Sequence, residues 1–225
     1  MAILTAAISP AVAIMTFIYL SKRIELEPLP LIIRMFVIGV IMVFPIMFIQ
    51  YAFETEQVIT NQLFVSFFLA GLLEEFFKWF FLLFVAYRHS HFDHHYDGII
   101  YGGAVSLGFA TIENVLFLFN KGIEIAMLRA VFPVSSHALF GIIMGYYMGK
   151  AKFTTVHIRK SLACALIIPV VLHTIYDYII TIQTDTWAYW ITPFMIGLWM
   201  VGIRKIRLAN DHHESIYYRN QETPR

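Results

Sequence analysis

Long uninterrupted apolar runs dominate this sequence and leave it few ways to fold. Seven of them, at about 2–20, 31–52, 63–87, 97–119, 124–149, 161–183 and 187–203, each approach the roughly 20 residues needed to cross the hydrocarbon of a bilayer. Inside lipid, backbone amides find partners only within a helix or a closed barrel. These runs are too long and too uniformly apolar for the short alternating strands of a barrel. The sequence therefore predicts an all-α protein, a polytopic transmembrane helical bundle of about seven spans. Residues 1–210 form a single transmembrane domain and 211–225 a polar cytoplasmic tail. The first run has no basic residues before it and is as long as a full span, so it reads as a membrane helix and not a cleavable signal.

Charge placement gives the orientation. Of the 16 basic residues, 13 fall in alternate connections or in the C-terminal tail, Lys22, Arg23, Arg88, Lys150, Lys152, Arg159 and Lys160 among them. The positive-inside bias puts those connections and the C-terminus in the cytoplasm and the N-terminus outside. A formal net charge of +1 gives no sign of nucleic-acid binding, so the lipid bilayer is the expected environment. Cys164 is the sole cysteine, which excludes an internal disulfide and any multi-cysteine metal site.

Against that apolar background the ionisable residues within the spans stand out. Segment three carries Glu74, Glu75 and Lys78, segment four Glu113, segment five His137, and segment six His173 and Asp177. Each acidic or basic group at the bilayer centre costs about 2.5–3.5 kcal/mol. The five that are not histidine would together cost roughly 12–18 kcal/mol unless paired, more than packing alone justifies. Small residues at four-residue spacing lead toward them: Gly141, Gly145 and Gly149 follow His137, and Gly98, Gly102, Ser106 and Ala110 precede Glu113. A third stripe runs Ser66, Ala70, Glu74, Lys78. Such stripes let helices approach closely, and His173 and Asp177 share one helix face. A four-helix polar core is expected, with Pro169 kinking segment six one turn before His173.

A carboxylate pair beside histidines suits general-base activation of water. His137, His173, Asp177 and Glu113 are also compatible with one divalent metal such as zinc, or with a metal-free set that binds an oxyanion and moves protons. There is no HExxH sequence, no GxSxG serine, and no base evident beside Cys164. A proton- or ion-coupled transporter also buries such groups, though no internal repeat is present. A haem carrier with His137 and His173 as axial ligands leaves the carboxylate pair without a role. In the third connection His89, His91, Asp93, His94, His95 and Asp97 form a cluster that could bind metal but reads best as a solvated cytoplasmic loop, as do His212 and His213 in the tail. Trp187, Tyr189 and Trp190 fit an interfacial aromatic belt.

Glu74-Glu75-Phe76-Phe77-Lys78 reads as EExxK, Phe109 to Glu113 as FxxxE, and His173 to Asp177 as HxxxD, with His137 isolated between the last two. Their order in consecutive spans, over roughly residues 60–185, resembles the PrsW family of bacterial intramembrane proteases. That family is related to the CAAX-processing and bacteriocin-immunity membrane proteases. Glu113 stands where the CAAX branch has a histidine, which weakens any transfer of prenyl-protein processing to this chain. The resemblance implies an enzyme of the bacterial plasma membrane. It would make the first, extracytoplasmic cut in a single-pass membrane anti-sigma factor and so release a sigma factor for an envelope stress response. It implies Glu74 and Glu75 as water-activating and supporting carboxylates and His173 as an essential partner. His137, Glu113, Asp177 and Lys78 would complete the site, with a metallo- or glutamate-dependent mechanism.

Overall fold

Seven helical rods account for the chain in a computed structural model that describes residues 1–23, 25–182 and 186–222, with backbone alone beyond Asp211. They are α1 (Ala2–Leu20), α2 (Leu29–Thr55), α3 (62–86), α4 (Asp97–Lys121), α5 (Ile123–Phe153), α6 (Ile158–Ile182) and α7 (Trp187–Glu222). No β-strand occurs among the described residues. Five rods, α1, α2, α4, α5 and α6, are long and apolar enough to cross a membrane by themselves. The two others are α3, which carries Glu74, Glu75 and Lys78, and α7, which opens on Trp187, Tyr189 and Trp190. Helix backbone continues through Glu222 in α7, so residues 211–222 extend the last rod; the side chains of His212 and His213 lie outside the described set.

The bundle is built around α4. Every residue from His95 to Thr111 is buried, so this helix has no lipid face along that length. It packs against α1, α2 and α5, while α6 covers α5 and α3. The two glycine stripes expected to admit close neighbours meet each other. A Cβ on Gly102 would lie 3.1 Å from Gly145 Cα, and one on Gly141 would lie 2.8 Å from Ser106 Cβ. Backbone therefore touches backbone along the α4–α5 seam, and His137 is carried on the same stripe one turn beyond Gly141. At the far end Gly122, with φ 93°, closes α4 in a conformation that L side chains rarely adopt, and its N–H bonds the Leu118 carbonyl at 2.9 Å.

Three π-helical stretches interrupt the rods, at Ser66–Leu72, Leu82–Ala86 and Ala130–Val134. The first corrects the third stripe. A π-turn closes on i→i+5 rather than i→i+4, so the packed face passes through Ser66, Leu69 and Gly71, and Ala70 is only half-buried. Gly71 then sits where a Cβ would meet the Val170 carbonyl of α6 at 2.9 Å. In α5, Pro133 has no N–H to offer the preceding turn. Ser136 Oγ donates to the Pro133 carbonyl at 2.8 Å, and Ser135 Oγ to that of Val131.

The histidine-rich connection is more deeply seated than a solvated loop. Phe92, His95, Tyr96 and Asp97 are all buried. The cause is a salt-bridged network with the α1–α2 connection. Lys22 Nζ donates to Glu27 at 2.6 Å and to Asp97 at 2.8 Å, Tyr101 donates to Glu27, and Asp97 accepts from the backbone N–H groups of Asp93 and His94. Lys22, one of the basic residues counted toward orientation, is thus a buried cation that ties two connections to the start of α4.

Candidate functional site

Four rods bring the predicted polar residues to one level. Glu75 lies deepest, with no exposed surface, and its Oε1 accepts from Lys78 Nζ at 2.8 Å and from His173 Nδ1 at 3.0 Å. Its other oxygen, Oε2, is buried and has no hydrogen-bond partner among the described residues. Lys78, equally enclosed, also reaches Glu74 Oε2 at 3.4 Å and His137 Nδ1 at 3.1 Å, so its three protons face three acceptors. An ammonium can only donate. The proton of a neutral His137 therefore sits on Nε2, which faces Glu113 Oε2 at 2.9 Å. His173 is flanked on both nitrogens by carboxylates, Glu75 at 3.0 Å and Asp177 Oδ2 at 3.3 Å, with Glu74 Oε2 4.0 Å from Nε2.

Aromatic rings fix these groups sideways. The two imidazoles stand edge to face with centroids 5.0 Å apart. Phe140 stacks on His173 at 5.1 Å, and Phe109 lies under the Lys78 ammonium at 4.2 Å. Glu113 and Asp177 keep about a quarter of their side chains accessible, and so mark the open side of an otherwise enclosed centre.

The predicted residues thus converge, but not in the grouping first expected of a metal. One ligand atom each from Glu74, Glu75, His137 and His173 falls within 4.8 Å of all the others, whereas Glu113 and Asp177 bond the Nε2 atoms of the two histidines from outside that foursome. A second group of this kind, Glu27, Asp93, His94 and Asp97, belongs to the Lys22 network.

The residues fit a divalent metal on three grounds. Two carboxylates and two imidazoles are a zinc-type donor set. Glu75 Oε2 is a buried oxygen beside them that no described residue satisfies. A metal there would take the place of the Lys78 bond at His137 Nδ1 and of the proton between His173 Nδ1 and Glu75, and would leave both Nε2 atoms facing carboxylates, the arrangement that orients ligating imidazoles.

Sequence reasoning overlooked Gln50. It reaches across from α2, and its Nε2 donates to Glu74 Oε1 at 3.0 Å and to the Leu69 carbonyl at 2.8 Å. Leu69 lies within the first π-stretch, so one amide both satisfies a displaced backbone carbonyl and holds a site carboxylate. The available signal was a lone amide near the end of an otherwise apolar run.

A polytopic helical bundle with a buried, metal-compatible centre of carboxylates and histidines is the architecture of an intramembrane hydrolase. The chain belongs to the PrsW family of intramembrane metalloproteases, whose profile it matches over residues 27–202. It is 51% identical over 212 residues to Protease PrsW of Oceanobacillus iheyensis, covering 94% of this chain and 98% of that one. Protease PrsW of Bacillus subtilis is 49% identical over 92% of this chain and 95% of its own. The Clostridioides difficile protein of the same name is 32% identical over 95% and 94%. No solved structure matches the chain.

Proposed function

We propose that this intramembrane protease makes the first, extracytoplasmic cut in a single-pass membrane anti-sigma factor, releasing a sigma factor in an envelope stress response. The observation that carries the catalytic reading is the unpartnered Glu75 Oε2 within the Glu74–Glu75–His137–His173 foursome. The substrate class rests on the family resemblance. The orientation, N-terminus outside and C-terminus in the cytoplasm of a bacterial plasma membrane, rests on the basic connections, and the division into a transmembrane domain over 1–210 and a cytoplasmic tail over 211–225 rests on the apolar runs and the polar residues that follow them.

In this reading Glu74, His137 and His173 would hold one divalent ion, zinc being the best match to the donors, and Glu75 is left as the base. A bound ion supplies Lewis-acid polarisation of the scissile carbonyl and acidifies water. Glu75 accepts the proton of the attacking water on its free Oε2, while Lys78 holds Oε1 in place. As the C–N bond breaks, that proton passes to the departing amine. Glu74 supports the centre, held by Gln50 and Lys78. Glu113 and Asp177 orient His137 and His173 through their Nε2 atoms.

The test is co-expression of the full chain with a tagged single-pass anti-sigma factor, with Glu75→Gln and His173→Ala as comparisons at matched membrane levels. Cleavage by the unaltered chain alone is expected. Equal cleavage by all three would remove these residues from the mechanism, and no cleavage by any of them would remove the proposed substrate class.

A further inference from the structure

One turn outward from the site, at the end of the bundle where α4 gives way to α5, lies a cavity of about 500 Å³. Three of its walls are the next turns of helices that carry site residues. Phe117 follows Glu113 by four positions on α4, Pro133 precedes His137 by four on α5, and Ile180 follows Asp177 by three on α6. Trp187, at the start of α7, closes the fourth side. The cavity therefore stacks above Glu113 and Asp177, the two site residues that are partly accessible.

Two polar groups, Tyr176 and Arg129, stand on this otherwise apolar wall. Tyr176 is 4% exposed, and its hydroxyl lies within reach of Ser136. Arg129 is half-buried, donates from Nε to Asn114 Oδ1 at 2.8 Å and stacks on Phe117 at 4.0 Å. Its terminal nitrogens have no hydrogen-bond acceptor and no carboxylate at ion-pair distance among the described residues. Asn114 is itself fully buried and donates to the Ala7 carbonyl at 3.0 Å, so the guanidinium is tethered inward and not left to reach for the membrane surface. Glu113, the site carboxylate that acts on this guanidinium, is beyond ion-pair distance and engaged by His137, so the forked donors are left to match a further carboxylate.

We propose that this cavity receives a large apolar side chain of the substrate segment just outward of the scissile bond, and that Arg129 pairs with a carboxylate of the same segment. The proposal rests on the reading of the foursome as the catalytic centre. One helical turn is about 5.4 Å and an extended chain advances about 3.3 Å per residue, which places the apolar residue about two positions from the cut. A peptide is favoured over a lipid because the cavity continues directly into the site and its cation is anchored within the bundle.

The test is photo-crosslinking in vesicles of the full chain in a Glu75→Gln background, which needs no catalysis and so fails independently of the catalytic reading. The probe is a single-pass leucine–alanine peptide with one benzoylphenylalanine near its outer end and an aspartate beyond it; a second peptide has lysine in place of the aspartate. Crosslinks to Leu128, Phe132 or Trp187 are expected with the aspartate peptide. Arg129→Glu should lower that yield about tenfold and raise that of the lysine peptide, a charge-pair effect of ordinary size. Arg129→Gln should abolish discrimination between the two, which keeps the test decisive if the reversed charge impairs folding. Crosslinks elsewhere, equal effects on both peptides, or a yield that follows anionic lipid content instead of peptide charge would each overturn the proposal.

Discussion

Replacing Gln50 by methionine separates positioning from chemistry at this site. Methionine keeps the length and apolar body of the side chain but removes the amide that holds Glu74 Oε1 at 3.0 Å and the Leu69 carbonyl at 2.8 Å. A hydrogen bond to a charged group contributes about 1.5–3 kcal/mol in soluble proteins. Side-chain bonds within membrane proteins average about 0.6 kcal/mol, with a maximum near 1.7. The loss in stability should therefore be about 1–2 kcal/mol and leave the protein folded. Glu74 would then be held by Lys78 alone at 3.4 Å, with His173 at 4.0 Å. Loss of a partner that orients a ligand lowers activity by about 10–100-fold. Assayed in vesicles with a reconstituted substrate, Gln50→Met should show that fall in kcat with KM nearly unchanged, and Gln50→Glu should add a pH dependence as two facing carboxyls come to share a proton. If Gln50→Met turns over substrate within twofold of the unaltered chain, the amide does not position Glu74.

Other outcomes follow from the same geometry. Lys78→Met leaves Glu75, Glu74 and His137 without their common donor, so the folded yield in detergent should fall with a loss of about 3–5 kcal/mol, and an unchanged melting temperature would contradict that. Gly145→Leu should force α4 and α5 apart and abolish cleavage, since even a Cβ there lies 2.8 Å from Ile99 Cα; full activity would mean that the seam does not set His137. Chelation should remove activity and zinc restore it, and Glu113→Gln and Asp177→Asn should each weaken metal retention by about 10–100-fold in dialysis. His94 lies outside the spans, and its bond to Asp97 raises its pKa above the usual 6.5. Its stabilisation is complete below 6.5 and lost as pH rises through the folded value, so the melting temperature should decline over that window, and His94→Gln should flatten the decline.

The sequence made the rods and the membership of the polar centre legible because both rest on local regularities. Apolar run length located the seven helices, and four-residue spacing of glycines identified the faces that meet between α4 and α5. Contacts made across the bundle were not legible. Gln50 and Glu74 are 24 residues apart, and nothing in the spacing of either places the amide on the carboxylate. Lys22 looked like a surface charge because its partner Asp97 lies 75 residues away. The π-turns defeated the third stripe for a different reason: a change of helical period within a uniformly apolar run leaves no mark on its composition. Glu113 and Asp177 were recognised as site residues, but whether a carboxylate faces the common centre or the far nitrogen of a histidine depends on helix rotation, which residue type does not encode.

The most direct test of the central claim is mass spectrometry of the products formed when the purified chain is reconstituted with a single-pass anti-sigma factor. The account predicts one cut, at the depth of His137 and His173 or just outward of it, and none with Glu75→Gln. The same product from Glu75→Gln, or a cut far outside the membrane, would contradict it.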